Sequence, residues 1–340
     1  MSEHVRVGLA GYGAAGAFFH APLISRTPGM VLDAIVTSNP ERAAQARAAH
    51  PGVEVLESAE ALWTRQLDLA VIATPNRTHV ALTRAAMRAG CGVVVDKPFA
   101  PTAAEGRALA REAKQLGRVL TVFQNRRWDS DFLTLAALIQ RGALGEVRRF
   151  ESRFERWRPV PKGGWRERGE AEEAGGLLYD LGAHLIDQAL QLFGPVRRVH
   201  AELDRRREGT DADDDDFVAL EHESGVRSHL WMSAVAAQGG PRFRVLGSRG
   251  AFTVWGLDGQ EAALRAGMRP GDPDWGAEAR HAALGADDAL EQVPLLRGAY
   301  DGFYPAVLRA LRGEGPVPVT PESSIQTLDV IEQAQAVARR

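Results

Sequence analysis

The first 124 residues alternate short apolar runs with amphipathic stretches, and this alternation restricts the fold more than any other feature of the sequence. The apolar runs are VRVGLA, MVLDAIV, LDLAVIA, CGVVV and RVLTVF, and segments such as NPERAAQARAAH and THVALTRAAMRAG between them have helical patterns. Strands separated by helices pair in parallel through right-handed crossovers. Residues 1–124 are therefore predicted to form a doubly wound parallel α/β sheet, with Asn39 capping a helix that starts at Pro40.

After residue 124 the sequence changes to the pattern of an α+β domain. The helical stretches SDFLTLAALIQRG and GGLLYDLGAHLIDQALQLFG precede the strand patterns VRRVHAEL, DFVALEHE, VRSHLWMSAV, RFRVLGS and GAFTVWG. Residues 125–340 are predicted to form a second domain with a large, open, mostly antiparallel sheet. Because such a sheet needs cover, it predicts a homodimer or homotetramer. Residues 257–298 are predicted to be a long loop region, and two helices from about 302 and 321 end the chain.

The composition limits the classes of partner. A net charge of -3 and a pI of about 6.3 give no basic excess for nucleic acid or for an anionic membrane. No apolar run approaches the roughly 20 residues of a membrane helix, and the start MSEHVRVGLAG lacks a signal-peptide pattern. A cytoplasmic protein is expected. The single Cys91 excludes an internal disulfide and a multi-cysteine metal site.

A run of acidic residues, DADDDD at 211–216, follows a basic cluster. It lacks the glycine spacing of an EF-hand loop. A solvated hairpin connection between two strands is the favoured interpretation over a divalent-metal site, and no function is assigned to it.

The segment VGLAGYGAAGAFFH carries the pattern G-x-G-x-x-G at Gly11, Gly13 and Gly16, directly after the first strand and opening a helix. The first glycine permits a tight turn, the second allows close approach of a pyrophosphate, and the third allows helix and strand to pack closely. The helix N-terminus offers free N–H groups to phosphates. The motif predicts a dinucleotide site, which also includes Tyr12, Ala14 and Ala15.

The second strand discriminates between nicotinamide cofactors. NAD enzymes usually end it with an acid that binds the ribose 2′-hydroxyl, whereas this strand is followed by Thr37 and Ser38, with Arg42 one helical turn later. Hydroxyl groups and a guanidinium suit a 2′-phosphate. NADP is therefore predicted over NAD, and Asp33, inside the strand, is the residue that would favour NAD unless it is paired locally.

Two further strands end in polar residues at the edge where open α/β sheets bind ligands. After LDLAVIA come Thr74, Pro75 and Asn76, candidates to line the nicotinamide side, with His79 either in the site or merely starting the next helix.

The strand VVV is followed without a spacer by Asp96, Lys97 and Pro98. Proline restricts the lysine backbone, and a cis peptide there is possible. Because Asp96 and Lys97 lie at this edge of the sheet, we interpret them as functional residues rather than as a surface ion pair.

The segment AGGLLYDLGAHLIDQALQLFG contains Asp180 and His184, which share a helix face because they are four residues apart. An imidazole fixed by a carboxylate can serve as a general base. A buried Asp–His pair that only anchors the helix is the structural alternative. A metal site that includes Asp187 is the least favoured interpretation.

Together the motifs GYGAAG, ATPNRTH, DKP and GGLLYDLGAHLID resemble the glucose–fructose oxidoreductase, inositol dehydrogenase and rhizopine-catabolism (Gfo/Idh/MocA) family of NAD(P)-dependent oxidoreductases. The stretches FFHAPLI, NRRWDSDF and YDLGAHLIDQ resemble its branch of NADP-linked scyllo-inositol dehydrogenases. The resemblance covers the first 190 residues by motif and the later sheet by layout.

The resemblance implies a substrate site between the nucleotide domain and the open sheet, and catalytic roles for three residues. Lys97 hydrogen-bonds the reacting oxygen, His184 accepts the proton, and Asp180 orients substrate or histidine. The residue before the lysine, a glutamate in the family, is here an aspartate. It further implies that Trp165 and Arg166 lie near substrate and cofactor, with Asn125, Arg127 and Trp128 as weaker candidates. Ordinary packing at the domain interface is the alternative for both groups.

These observations predict oxidation of a secondary hydroxyl on a cyclic polyol or sugar, without a metal ion. The alternatives are a non-catalytic dinucleotide sensor, since fold alone does not establish function, and a dehydrogenase of a non-sugar substrate such as a dihydrodiol. Retention of the lysine, aspartate and histidine favours an enzyme, and the polar residue set disfavours an apolar substrate.

Overall fold

Two sheets organise the chain in a computed structural model that describes residues 4–161, 163–164, 167–170 and 173–339. The first sheet has six parallel strands in the order β3-β2-β1-β4-β5-β6. They are β1 (Val5–Ala10), β2 (Met30–Val36), β3 (Glu54–Leu56), β4 (Leu69–Ile72), β5 (Gly92–Asp96) and β6 (Leu120–Phe123). This confirms the predicted doubly wound α/β sheet. Only β3 is absent from the apolar runs of the sequence, because it has three residues at a sheet edge.

Helices alternate with these strands, as the sequence predicts. They are α1 (Ala21–Ser25), α2 (Pro40–Ala49), α3 (Ala59–Trp63), α4 (His79–Arg88) and α5 (Ala103–Leu116). The Asn39 side chain accepts a hydrogen bond of 2.9 Å from the Arg42 N–H, and Pro40 is the first residue of α2. The cap and the start of this helix are therefore confirmed.

The second sheet has eight strands in the order β14-β13-β12-β11-β7-β10-β9-β8. They are β7 (Val147–Glu155), β8 (Val196–Asp204), β9 (Asp215–His222), β10 (Arg227–Ser233), β11 (Phe243–Gly247), β12 (Ala251–Val254), β13 (His281–Ala286) and β14 (Ala289–Pro294). All neighbouring pairs are antiparallel except β7 and β10, which run parallel. The sequence analysis missed β7 because only Phe150 and Phe154 mark its buried face among charged residues.

The prediction of a long loop over residues 257–298 is wrong. The segment contains α8 (Gln260–Arg265) and the β13–β14 hairpin. The residues of β14 are mostly exposed, so the strand has little of the hydrophobic alternation by which a sequence reveals a half-buried strand.

The last helices return to the first sheet. Besides α8, the helices after β6 are α6 (Ser130–Gln140), α7 (Ala183–Phe193), α9 (Phe303–Leu311) and α10 (Pro321–Ala338), so the two predicted C-terminal helices are confirmed. The Tyr304 hydroxyl of α9 lies 2.7 Å from the His20 Nδ1. Before α10, the Val319 carbonyl accepts a 2.7 Å hydrogen bond from the Thr121 hydroxyl of β6. The two sheets therefore share one continuous hydrophobic core.

The acidic run at 211–216 belongs to the connection and first residues of the antiparallel β8–β9 hairpin, as the sequence analysis favoured, but it is not solvated throughout. Asp214 is fully buried and pairs with Arg207 at 2.9 Å. Asp216 is buried as well, and this burial together with the nearby carboxylate of Asp213 raises its pKa to about 11, so it is protonated. The partner of Asp214 belongs to the basic cluster that precedes the run, and only the folded hairpin buries the pair.

None of the helices that the structure describes combines the length and the apolar character needed to cross a membrane.

Candidate active site

The glycine loop after β1 is shaped by two close backbone approaches. Gly11 has a φ of +100°, and a Cβ there would lie 2.5 Å from the Ala73 carbonyl oxygen. A Cβ at Gly16 would lie 2.1 Å from the Gly11 carbonyl oxygen. At Gly13 a Cβ would approach nothing closer than the Arg42 Nη1, at 3.9 Å. The loop therefore has no space for a side chain at Gly11 or Gly16 but is open at Gly13. This shape fits a pyrophosphate bound against Gly13.

The helix that follows the loop presents its N-terminus to the same open space. Its first hydrogen bond within the helix runs from the Ala17 N–H to the Gly13 carbonyl at 2.8 Å. The N–H groups of Ala14 and Ala15 therefore precede the helix hydrogen-bond ladder and are free to bind an anion. A π-helical turn, Gly16–His20, leads from this end into α1. The residues present fit a dinucleotide.

A cavity of about 540 Å³ begins at this loop and collects most of the residues predicted for the cofactor, although Gly16 does not line it. It is lined by Gly11, Tyr12, Gly13, Ala14, Ala15, Thr37, Ser38, Arg42, Thr74, Pro75, Asn76, Asp96, Lys97 and Pro98. Asp33 lies outside this lining; Arg6 and Arg65 bind its carboxylate at 2.9 and 2.8 Å. Two exposed carboxylates that the sequence analysis overlooked, Glu57 and Glu60, also line the cavity.

The loops after β4 and β5 are held together by His79. Its imidazole is fully buried between the Pro98 carbonyl, at 2.8 Å, and the Thr74 carbonyl, at 3.0 Å. His79 therefore fixes the two loops that border the cofactor cavity and does not itself line that cavity. The Asn76 side chain donates a 3.0 Å hydrogen bond to the Glu173 carbonyl and thereby links the first loop to the segment before Asp180.

Lys97 and Asp180 meet at the end of β5. The Lys97 Nζ lies 3.0 Å from the Asp180 Oδ1 and donates a second hydrogen bond of 2.5 Å to the Asp180 backbone carbonyl. The Lys97–Pro98 peptide is cis. Asp180 lies in a second π-helical turn, Leu178–Gly182, which continues directly into α7. Turns of this type occur frequently at functional sites.

His184, one turn further along, is 5% exposed, and its Nδ1 has no hydrogen-bond partner among the described residues. Burial and the charges of Lys97, Arg126, Arg242 and Arg156 hold its pKa well below the usual 6.5. The imidazole is thus neutral at neutral pH and able to accept a proton.

The predicted hydrogen bond between Asp180 and His184 is not formed within the described residues. The carboxylate of Asp180 instead faces the Lys97 ammonium, with which it forms an ion pair.

A second cavity, of about 510 Å³, adjoins the first and contains both Lys97 and His184. The two cavities share Ala14, Ala15, Asp96, Lys97, Gly176 and Asp180. One cleft therefore leads from the glycine loop past Lys97 to the inner face of the second sheet. A molecule in the second cavity and a nucleotide in the first would meet at Lys97.

The three candidates on the segment after β6, Asn125, Arg127 and Trp128, have different surroundings in the structure. Asn125 lines the second cavity. Arg127 points elsewhere, forming hydrogen bonds of 2.8 and 2.5 Å with the buried Asp187, and does not line it. Trp128 packs edge-on against Phe303 instead of the cavity. Trp165 and Arg166 lie outside the described residues.

Sequence analysis missed several charged residues of the second cavity. Arg126, Arg156 and Glu261 line it, as does Asp213. The Asp213 carboxylate accepts a 2.8 Å hydrogen bond from the Leu178 N–H and so caps the helix that carries Asp180 and His184. The neighbouring Gly176 is required there, since a Cβ would lie 2.2 Å from the same carboxylate. Arg126 lies between two residues that the sequence analysis did propose, whereas Arg156, Asp213 and Glu261 come from other segments of the chain and no local pattern marks them.

The fold and this cleft define an oxidoreductase with an NAD-binding Rossmann domain and a small-molecule substrate. Residues 5–124 match the model of the oxidoreductase family with an NAD-binding Rossmann fold, and residues 132–253 match that of the GFO/IDH/MocA C-terminal domain. The chain belongs to the GFO/IDH/MocA family of oxidoreductases, as its motifs predicted.

Full-length relatives agree with this assignment. The chain is 43% identical to the uncharacterized oxidoreductase YdgJ of Escherichia coli, over 98% of this chain and 96% of that protein. It is 35% identical to the NADP-dependent scyllo-inositol 2-dehydrogenase IolW of Bacillus subtilis, over 98% and 93% of the two chains. A solved structure of the YPO2259 protein from Yersinia pestis superposes with a TM-score of 0.92 at 40% identity, covering 100% of this chain and 96% of that one.

Proposed function

We propose that this protein reversibly oxidises a secondary hydroxyl of a cyclic polyol or sugar with NADP as cofactor. The observation that carries the proposal is the meeting of Lys97, Asp180 and His184 where the nucleotide cavity joins the second cavity. The scyllo-inositol and NADP specificity of IolW supports the substrate class and the cofactor. In this proposal residue 124 divides a nucleotide-binding part, 1–124, from a substrate-binding part, 125–340.

The chemistry divides between cofactor and protein. When bound, the nicotinamide supplies hydride acceptance and donation. The neutral imidazole of His184 accepts the hydroxyl proton during oxidation and returns it during reduction. The Lys97 ammonium stabilises the charge that develops on the reacting oxygen, where a preorganised cation has its greatest effect. Asp180 holds that ammonium in place through the 3.0 Å contact to its carboxylate.

The preference for NADP rests on charge around the adenosine ribose. Thr37, Ser38 and Arg42 line the nucleotide cavity. Their hydroxyl groups and guanidinium are suitable donors for a 2′-phosphate. Asp33, the residue that would favour NAD, is bound by two arginines.

We expect Arg42→Ala to weaken NADPH binding by roughly ten- to a hundredfold, the effect of losing hydrogen bonds from a charged donor, and to leave NADH binding unchanged. Nicotinamide fluorescence titrations with both nucleotides measure this. Arg47→Ala is the matched control, because Arg47 is an exposed arginine on the same helix and does not line the cavity. Equal losses for NADPH and NADH would contradict the assigned role of Arg42.

The function itself is tested by titrating the protein with NADPH and NADH and then screening inositols and aldoses with the tighter nucleotide. Turnover of a cyclic polyol or sugar is the expected result. Tight nucleotide binding with turnover only of an apolar diol would overturn the substrate class. Failure to bind either nucleotide would overturn the proposal as a whole.

The outer face of the second sheet supports the proposed homodimer or homotetramer. The half-buried rings of Phe217 and Trp231 lie 5.2 Å apart, and the Arg153 guanidinium lies 3.9 Å from the Trp231 ring. A broad sheet face with clustered aromatic rings is typical of an association surface. Sedimentation velocity should therefore detect an oligomer that Trp231→Glu dissociates, and a monomeric wild type would contradict this.

A further inference from the structure

The second cavity contains an unusual concentration of guanidinium groups beside the reacting residues. Arg126 and Arg156 both line it, and their Cζ atoms lie 4.7 and 4.5 Å from the centre of the Phe154 ring. The ring supports both cations through cation–π contacts. The charge of Arg156 acts on both Asp180 and His184, so it lies close to the place where a substrate would react.

The arginines of the cavity differ in how their charge is balanced. Arg126 binds Asp129 at 3.3 Å and Glu261 at 2.9 Å. Glu261 also binds Arg265, at 3.0 Å. Among the residues that the structure describes, the side chain of Arg156 forms neither a hydrogen bond nor an ion pair.

Arg207 is likewise neutralised, by Asp214 at 2.9 Å and Glu167 at 3.2 Å. The two carboxylates whose charge raises the pKa of Arg156 are bound by other cations. Asp180 is bound by Lys97, and Glu261 is shared by two guanidinium groups. Arg156 is thus a half-buried cavity cation for which the described part of the chain supplies no counterion. Arg158 also lines the cavity without an ion pair to the described residues, but it is exposed to solvent.

This arrangement is unfavourable without a bound anion. Burial and the neighbouring charges of Arg158 and Arg126 lower the pKa of Arg156 to about 10, although Asp180 and Glu261 raise it. A cation taken out of water and left without a partner costs free energy, which an incoming anion offsets. The planar guanidinium can hold a carboxylate or phosphate with two parallel hydrogen bonds.

We propose that the substrate of this site carries an oxyanion, a carboxylate or a phosphate, which Arg156 binds next to the reacting carbon. This inference rests on the proposed function and narrows its substrate class from neutral polyols and sugars to their acidic derivatives. Arg156 is the residue that selects the anion, while Lys97 and His184 act on the hydroxyl.

The test compares matched ligands on the protein saturated with NADPH. Calorimetric titrations use glucose, glucuronate and glucose 6-phosphate, and myo-inositol with its 1-phosphate. The same set is run on Arg156→Gln, on Arg156→Lys, which keeps the charge but loses the planar fork, and on Arg148→Gln. The last is a matched control, because Arg148 is an exposed arginine on β7 that does not line the cavity.

We expect the wild type and Arg148→Gln to bind a carboxylate or phosphate member more tightly than its neutral parent. Arg156→Gln should lose roughly ten- to a hundredfold of that affinity, the effect of removing hydrogen bonds to a charged group, and bind neutral parents unchanged. Preference for glucuronate identifies a carboxylate site, and preference for the phosphate esters identifies a phosphate site. Arg156→Lys should recover only part of the loss.

A second readout does not depend on the sugar ring. At equal ionic strength and with NADPH present, phosphate should raise the Tm of the wild type more than that of Arg156→Gln.

Two results would overturn the inference. One is equal or tighter binding of the neutral parents by the wild type, and the other is an identical response of wild type and Arg156→Gln to every anion. Turnover of neutral polyols with either result would leave the proposed function intact. Anion binding that depends on Arg156 in a protein that binds no nucleotide would instead uphold the anion site and refute the proposed function.

Discussion

Lys97→Met is expected to lower kcat/KM by roughly 10²–10³-fold, the effect of removing one preorganised group from a developing oxyanion. The ammonium lies 3.0 Å from the Asp180 carboxylate, where the two cavities join, and methionine keeps most of the side-chain volume without the charge. Steady-state kinetics in both directions, with an NADPH titration of the variant, measure the effect.

Lys97→Met should lower turnover more than it weakens NADPH binding, because the substitution leaves the glycine loop and the residues proposed for the adenosine ribose unchanged. Lys114→Met is the control, since Lys114 is exposed on α5, remote from the cleft. Wild-type turnover by Lys97→Met, in a variant that still binds NADPH, would refute the role given to this lysine.

His184→Gln is expected to lower the oxidation rate by roughly 10²–10⁴-fold, the usual contribution of a general base. Glutamine retains polarity in the buried position but cannot accept the hydroxyl proton. Pre-steady-state rates of NADPH formation measure the chemical step without product release. His281→Gln, a change at an exposed position on β13, is the control.

The pH dependence of oxidation tests the same residue independently. Because burial and four nearby cations lower the pKa of His184, its base form persists as the pH falls through 6.5. The rate should therefore stay level through that value and decline only at clearly lower pH. In Lys97→Met the loss of one cation raises the pKa of His184. As the pH is lowered, the residual rate should therefore begin to decline at a higher pH than the rate of the wild type. A wild-type decline centred near pH 7, or an unchanged profile in His184→Gln, would contradict this assignment.

The local patterns of the sequence identified the nucleotide half of the site well. Gly16 is recognisable because it relieves a backbone approach to Gly11 within a single helix start, whereas Gly11, which faces the distant Ala73 carbonyl, is recognisable only through the motif. Asn39 and Pro40 are recognisable because a helix cap is complete within four residues. Lys97 could be placed because a residue after a buried parallel strand must emerge at one edge of the sheet.

The sequence was less informative wherever a side chain depends on a distant partner. It predicted Arg127 for the substrate site, but Asp187 binds that guanidinium, 60 positions away along the chain, and its neighbour Arg126 faces the cavity. It paired Asp180 with His184 by spacing, whereas the carboxylate meets Lys97, 83 positions away at the end of β5.

By itself, therefore, the sequence determined the fold class, the family and the positions of Lys97, Asp180 and His184. These follow from strand ends, turns and helix periodicity, which are set by neighbouring residues. Only the tertiary structure decided which charges stand in the second cavity and which of them are neutralised. Glu261 reaches Arg126 across 135 positions, whereas Arg156 meets no carboxylate within the described chain. Such pairings depend on how the two sheets pack together, and no local pattern encodes them.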